Sequence, residues 1–221
     1  MGIKTSKGVL GSISGTVGTV VLSRWRGLEI AKSLPVSNKN KKVSEAKADQ
    51  NQLFALVRKF LTFDEDGIFN VSFPLPGNSK FHPKNAVTSY HMLHAVVGAY
   101  PDYSIDLSKM KFSQPVKTTE NGWNAVFTGE ERVGLTIKWE LNPYPKKSTQ
   151  LDDEAVIVAF DTKQNKLHLL TTSAQRHLLT YTMPFKNAKK KHEFYCWMFF
   201  VSKDKKLVSE TEYLGMVTMM A

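Results

Sequence analysis

From residue 103 onward, the sequence is a series of short β-rich runs separated by turn residues, and this pattern limits the fold more than any other feature. The runs are SIDLSKMKFS, NAVFTG, GLTIKWEL, EAVIVAFD, KLHLLTTS, LLTYTMPF, EFYCWMFFVS and EYLGMVTM. Short strands at regular spacing are typical of an antiparallel β-sandwich. The segments DTKQNKL and SKDKKL carry charges between two such runs and predict hairpins. We therefore expect residues 103–221 to form a β-sandwich.

Two helices are expected before this region, in residues 37–102. Ser44 is a suitable N-cap, and apolar residues recur with helical spacing from Leu53 to Leu61, which predicts an amphipathic helix over about residues 44–62. A loop with proline and glycine, VSFPLPGNSKFHP, follows. Pro83 suits the first turn of a second helix, which we expect to end near residue 99. Helices followed by strands make the chain an α+β protein.

Glycines recur among β-branched residues in the stretch GVLGSISGTVGTVVLSRWRG, residues 8–27. Ile13, Val17, Val21 and Trp25 share one parity, which favours extended or strand structure. The stretch has neither the lysine of a P-loop nor the glycine spacing of a dinucleotide fingerprint. A glycine within a strand usually marks a bulge or the close approach of another backbone. Residues 1–36 are therefore predicted to form an extended β arm.

This arm contains the residues that we expect to make protein contacts. They are Gly11, Gly15, Gly18, Arg24, Trp25 and Arg26. The glycines would let another backbone of the same domain or of a neighbouring subunit lie close, and Trp25 would be a large apolar anchor. Arg24 and Arg26 would point to the opposite face, because side chains alternate along a strand.

Composition excludes several classes of protein. A chain of 221 residues with 42% hydrophobic content is long enough to bury a core. Its single cysteine, Cys196, excludes an intrachain disulfide and a cysteine-based zinc cluster, and lies in an apolar run where a small buried residue is expected. The longest apolar run is far too short to span a bilayer, and no convincing signal peptide precedes the fold. We expect a soluble protein, cytoplasmic or associated with a virion.

No arrangement of residues in the sequence predicts catalysis, a metal or a cofactor. His91 and His94 are spaced three apart, but neither cysteine nor an acidic residue completes a metal set, and we interpret them as partly exposed. Asp152, Asp153 and Glu154 precede an apolar strand, where carboxylates are expected to remain solvated. No nucleophile elbow or zinc-protease motif occurs in the sequence. We therefore expect a protein that is not an enzyme.

The net charge of +10 raises the alternative of nucleic-acid binding. Lysines cluster at residues 39–42, 186–191 and 203–206. However, 25 of the 30 basic residues are lysines, whereas bidentate recognition of phosphates and bases favours arginine. The lysines are interpreted first as a solubilising surface, and nucleic acid remains the less favoured partner.

The N-terminal segment GSISGTVGTVVLSRWRGLEIAKSLP resembles the opening motif of an uncharacterised family from Bacteroidota, G-x-x-S-G-x-V-G-x-V-V-x-x-x-W-(K/R)-G. Similarity extends through NAVTSY, AYPDYSIDLSKMKFS and the final FVSKDKKLVSETEYLGMVT. The family has no established active site, so the resemblance implies no catalytic residue. The final strands also look like an immunoglobulin or fibronectin type III sandwich. We expect a structural or assembly protein, a homo-oligomer or a partner of other proteins, such as a subunit of a phage virion.

Overall fold

The computed structural model describes residues 2–4, 14–25, 28–36, 42–61, 67–75, 82–130, 133–184 and 191–219. The chain divides into two compact units, residues 1–44 and residues 45–221.

The described part of the first unit contains a four-stranded antiparallel sheet. Its strands are β1 (Gly2–Lys4), β2 (Gly15–Val17), β3 (Val20–Trp25) and β4 (Leu28–Ser33), in the order β1-β4-β3-β2. Val17 pairs with Val20 across a two-residue turn in which Gly18 has a φ of +57°. A glycine at the first position of such a turn adopts the left-handed conformation that a tight hairpin requires. The β-branched residues on either side then form the paired strands.

The second unit contains a seven-stranded sandwich of two antiparallel sheets. The smaller sheet has the order β11-β8-β7 and consists of β7 (Trp123–Glu130), β8 (Gly134–Glu140) and β11 (Thr180–Met183). The larger sheet has the order β10-β9-β12-β13 and consists of β9 (Glu154–Asp161), β10 (Lys166–Gln175), β12 (His192–Val201) and β13 (Glu212–Met219). β10, the fourth strand of the sandwich along the chain, pairs with β9, the third. Strand C′ pairs with strand C in the same way in a variable-type immunoglobulin domain. The predicted Ig-like sandwich and the α+β class are confirmed.

Before the sandwich, the described residues of the same unit form three helices: α1 (Glu45–Phe60), α2 (Phe69–Ser72) and α3 (Pro83–His94). A two-stranded hairpin of β5 (Val96–Ala99) and β6 (Asp102–Ile105) follows α3. Short 3₁₀ turns cover Leu107–Lys109 and Arg176–Leu178. Phe69 and Phe73 at α2 and Val87 of α3 belong to the same apolar cluster as one face of the larger sheet. The helices therefore cover that face.

The larger sheet is buried on both faces, which explains the long apolar runs of β9 and β12. Val158, Trp197 and Phe199 lie in the cluster shared with the helices. Ile157, Met198 and their neighbours lie in the second cluster, between the two sheets, with Leu135 and Trp139 of β8. Alternate side chains enter opposite clusters, so neither face needs polar residues. Phe194, Trp197, Phe199 and Phe200 of β12 are fully buried, and Tyr195 is partly buried.

The expected end of the second helix was wrong. We expected it to end near residue 99, whereas α3 ends at His94 and residues 96–99 form β5. Two consecutive valines favour a strand, and Gly98 has a φ of +95°, which an α-helix does not contain. Of the first predicted β-rich run, residues 104–113, only Ser104 and Ile105 lie in a strand, β6, and the rest contains a 3₁₀ turn and irregular backbone.

Candidate interaction site

Four of the six predicted interaction residues lie in the described part of the N-terminal sheet. Gly15 begins β2, Gly18 forms the hairpin turn, and Arg24 and Trp25 end β3. Gly11 and Arg26 lie outside the described residues. The sheet therefore brings the positions of these four residues into one small unit.

Within the described residues, backbone conformation explains Gly15 and Gly18, and close approach of a neighbouring subunit to them stays a prediction. A Cβ placed on Gly15 or Gly18 would meet no described atom within 4 Å, so no other segment described in the chain requires their small size. Both have positive φ, +131° and +57°, which other residues rarely adopt. These glycines permit the backbone conformation of the hairpin, and the faces of the sheet are formed by other residues.

The hairpin turn also changes the faces inferred from sequence parity. Val17 pairs with Val20 and therefore shares its face, whereas Val21 lies on the other face with Thr16. Val17 and Val21, which have the same parity, consequently lie on opposite sides of the sheet. Arg24 and Trp25 are consecutive within β3, so the two positions belong to opposite faces of the sheet, as the sequence predicts.

Both faces of the sheet contain apolar side chains that remain accessible. Val17, Val20 and Leu22 lie on one face, and Val21 and Ile30 lie on the other. Val17 is 63% exposed and Val20 is 40% exposed. None of residues 14–24, 29–36 and 42–44 is buried. The described part of this unit is one layer thick and has no hydrophobic core of its own.

Charged side chains of both signs lie on the face that contains Val17. Register pairs Arg24 with Glu29. Directly opposed residues in an antiparallel pair lie on the same face. This face, which we call the valine–arginine face and define by Val17, Val20, Leu22, Arg24 and Glu29, combines apolar residues with opposite charges.

The carboxylate of Asp153, predicted to be solvated, is fully buried. Its Oδ2 accepts hydrogen bonds from Thr119 Oγ1 at 2.7 Å and from Arg176 Nη2 at 3.2 Å. Arg176 also donates to the backbone oxygens of Glu120 and Asn121, and its guanidinium lies 3.9 Å from the ring centroid of Phe200.

This buried pair joins the loop before β7, the loop before β9 and the turn after β10. Burial lowers the pKa of Arg176, and the adjacent Asp153 acts in the opposite direction. The sequence prediction failed because the charged partner of Asp153 is distant in the sequence. Arg176, one of only five arginines, lies 23 residues away. The pair has the arrangement of a structural ion pair.

The two histidines of α3 lie in different environments. His91 is buried, so its predicted partial exposure was wrong, whereas His94 is exposed. Burial lowers the pKa of His91 from 6.5 to about 4, and its two ring nitrogens lie within hydrogen-bonding distance of Val87 O and Lys111 N. In the described ranges, no group of three or more His, Cys, Asp or Glu side chains is arranged to hold a metal ion.

The remaining predictions concern Cys196 and the basic clusters. Cys196 is fully buried, as predicted, and burial raises the pKa of its thiol. Lys203 and Lys206 of the third basic cluster pair with Asp152 at 3.5 Å and Asp204 at 3.1 Å. The other two clusters fall mostly outside the described residues. A membrane-spanning helix needs both sufficient length and an apolar composition, and none of the described helices combines the two.

Comparison with protein families gives one match, which covers both units. The model of DUF6266, a family of unknown function, matches residues 12–215. The chain belongs to this family. The match begins before β2 and ends within β13, so the DUF6266 region contains strands β2, β3 and β4 of the N-terminal sheet together with the helices and the sandwich. A search of curated proteins found no match.

Proposed function

We propose that this DUF6266 protein is a non-enzymatic assembly protein that docks through its N-terminal sheet onto another protein subunit. The proposal rests on one observation: residues 14–24, 29–36 and 42–44 include no buried residue. A sheet with apolar side chains is stabilised by covering them with another element. The exposed Val17 and Val20 therefore form a surface that a partner protein would cover.

A second copy of this chain is the partner that we propose. The valine–arginine face contains Arg24 and Glu29 beside its valines, so it has positive and negative charges on one patch. In an interface with two-fold symmetry, the same patch occurs on both subunits and must complement itself. A patch with opposite charges meets this requirement, because Arg24 of each copy can face Glu29 of the other. A two-fold contact closes into a dimer, so a multi-subunit particle such as a phage virion would need a further interface on the same chain.

Size-exclusion chromatography with light scattering tests the proposal on the full-length chain. We expect the wild-type protein to be a dimer or a larger assembly, and Val17→Lys to be a monomer because it places a charge in the apolar part of the interface. Val36→Lys is the matched control, since Val36 is 95% exposed and follows the sheet. A wild-type protein that is monomeric at every concentration contradicts the proposal, as does equal dissociation by both variants.

The alternative function is nucleic-acid binding through the lysine clusters, which the net charge of +10 favours. In the described residues, Lys203 and Lys206 already lie beside carboxylates, which reduces the charge that this cluster offers to a phosphate. Fluorescence anisotropy with labelled DNA and RNA at low salt tests the alternative. Affinity that falls steeply with added salt would favour it, and the absence of binding at low salt would eliminate it.

A further inference from the structure

A groove of about 500 Å³ lies between the end of α3, the segment after β6 and the beginning of β13. Tyr90, His94, Lys109, Lys111 and Tyr213 contribute the ring and charged side chains of its lining. This volume lies within the range of about 300–1,000 Å³ that is typical of small-molecule sites. All of these residues belong to the second unit, and they lie outside the N-terminal sheet.

The groove contains more hydrogen-bond donors than its own acceptors use. Lys109 Nζ lies 3.2 Å from Asp106, and Lys111 Nζ lies 3.9 Å from Glu210, so each ammonium keeps further donors. Within the described part of the chain, the hydroxyls of Tyr90 and Tyr213 and the ring nitrogens of His94 make no hydrogen bond. Burial is the main cause that raises the pKa of Tyr213, which keeps its hydroxyl protonated and able to donate.

The rings of the groove are packed against neighbouring groups. The ring centroids of Tyr90 and His94 are 4.7 Å apart, and Lys111 Nζ lies 6.0 Å from the ring centroid of Tyr90. Tyr213 packs against the buried Trp197 with a centroid distance of 5.6 Å. Aromatic side chains in such contacts have few conformations to lose when a ligand binds. They provide flat apolar surface beside the two ammonium groups.

The backbone beside the groove is also held in place. The Nε2 atom of His91 accepts a hydrogen bond from Lys111 N at 3.3 Å. One residue further, Phe112 N donates to Thr211 Oγ1 at 2.9 Å. These bonds connect the segment that contains Lys111 to α3 on one side and to the segment before β13 on the other. The backbone that carries Lys111 is therefore held in place before a ligand arrives, and the exposed side chains of Lys109 and Lys111 can still adjust to it.

We propose that this groove binds a small phosphorylated ring compound. The ring would lie either against Tyr90 and His94 or against Tyr213, and the phosphate would lie beside Lys109 and Lys111. A phosphate ester has three strong acceptor oxygens, which matches the surplus of donors. Lysine is a common phosphate ligand that acts as a point charge. The ring accounts for the aromatic surface, which an inorganic anion would leave uncovered.

Isothermal titration calorimetry of the full-length protein with phenyl phosphate tests this proposal. We expect saturable binding at one site, with inorganic phosphate and phenol each binding at least tenfold more weakly. The probe should also raise the melting temperature, because a ligand that binds only the folded state stabilises it. Absence of saturable binding at millimolar phenyl phosphate overturns the proposal. Inorganic phosphate that binds as tightly as phenyl phosphate also overturns it, because the ring would then contribute nothing.

Substitutions test whether binding takes place in this groove. Lys111→Gln should weaken phenyl phosphate at least tenfold, and Tyr213→Phe, which keeps the ring and removes the hydroxyl, should weaken it several-fold. Lys163→Gln is the control, because Lys163 is exposed in the turn between β9 and β10. We expect it to bind as the wild type does. If Lys111→Gln and Lys163→Gln weaken the affinity for phenyl phosphate equally, the ligand is attracted by general surface charge, which contradicts binding in the groove.

Discussion

Replacing Arg176 by methionine should destabilise the sandwich strongly, because it removes the partner of a buried carboxylate. Asp153 is fully buried, and Arg176 is only 4% exposed. In the variant, Asp153 keeps the hydrogen bonds from Thr119 Oγ1 and Gln150 N but loses its only cationic partner among the described residues. The contact of the guanidinium with Phe200 is also lost. A methionine side chain fills much of the space and replaces none of the charge.

Removal of one partner of a buried ion pair costs about 3–5 kcal/mol. In a unit of this size, each kcal/mol lowers the melting temperature by about 2–4 °C, so we expect a decrease of roughly 6–20 °C. The double variant Arg176→Met/Asp153→Leu should recover at least half of the lost stability, because no unpaired buried charge remains.

Urea unfolding followed by the fluorescence of Trp139 and Trp197 measures this change, since both tryptophans are buried in the second unit. Arg58→Met is the matched control. Arg58 is exposed on α1, and a surface substitution should change the free energy of unfolding by no more than about 0.5 kcal/mol. A loss below about 1 kcal/mol for Arg176→Met, which is the value of an exposed pair, would refute the reasoning. A double variant less stable than either single variant would refute it too.

Three further predictions concern single residues. The pKa of His91 is lowered from 6.5 to about 4 in the folded state, so the unfolded state binds more protons between pH 4 and pH 6.5. The free energy of unfolding should therefore fall by up to about 3 kcal/mol as the pH is lowered from 6.5 to 4. Urea titrations measure this pH dependence, and His91→Leu should remove the part that His91 contributes. Cys196 should not react with a thiol reagent in the native protein and should react fully in denaturant, because its thiol is buried and protonated; rapid native labelling would contradict this. Gly98→Ala should lower the melting temperature more than Gly15→Ala, because a Cβ at Gly98 overlaps the backbone oxygen of Asp102 while one at Gly15 meets no described atom within 4 Å; equal effects would contradict the steric argument.

The sandwich and the first helix could be predicted because their signals are local. Helical spacing of apolar residues predicted α1, which spans Glu45–Phe60, and the turn DTKQNKL lies between β9 and β10, as expected. The β-rich runs EAVIVAFD and EFYCWMFFVS were predicted as strands of the sandwich, and they form β9 and β12. Periodicity alone did not show that helices cover one face of their sheet, because that depends on contacts between distant segments.

Other features depended on backbone geometry or on pairs far apart in sequence. The parity of Val17 and Val21 suggested one face, but a two-residue turn placed them on opposite faces. The burial of Asp153 required Arg176, and the groove combines α3 with a strand more than 100 residues later. Such pairings follow from the tertiary structure, and a single sequence contains no local signal for them.

Amide hydrogen exchange at two protein concentrations tests the proposed assembly role most directly, because it reports on the N-terminal sheet itself. A sheet that is covered only in an assembly should open readily in the free subunit. We predict that protection of residues 20–25 and 28–33 rises with protein concentration, while protection of β9 and β12 stays constant. Protection of the N-terminal strands that equals that of β12 and does not change with concentration would contradict the proposal that this sheet docks onto a second copy.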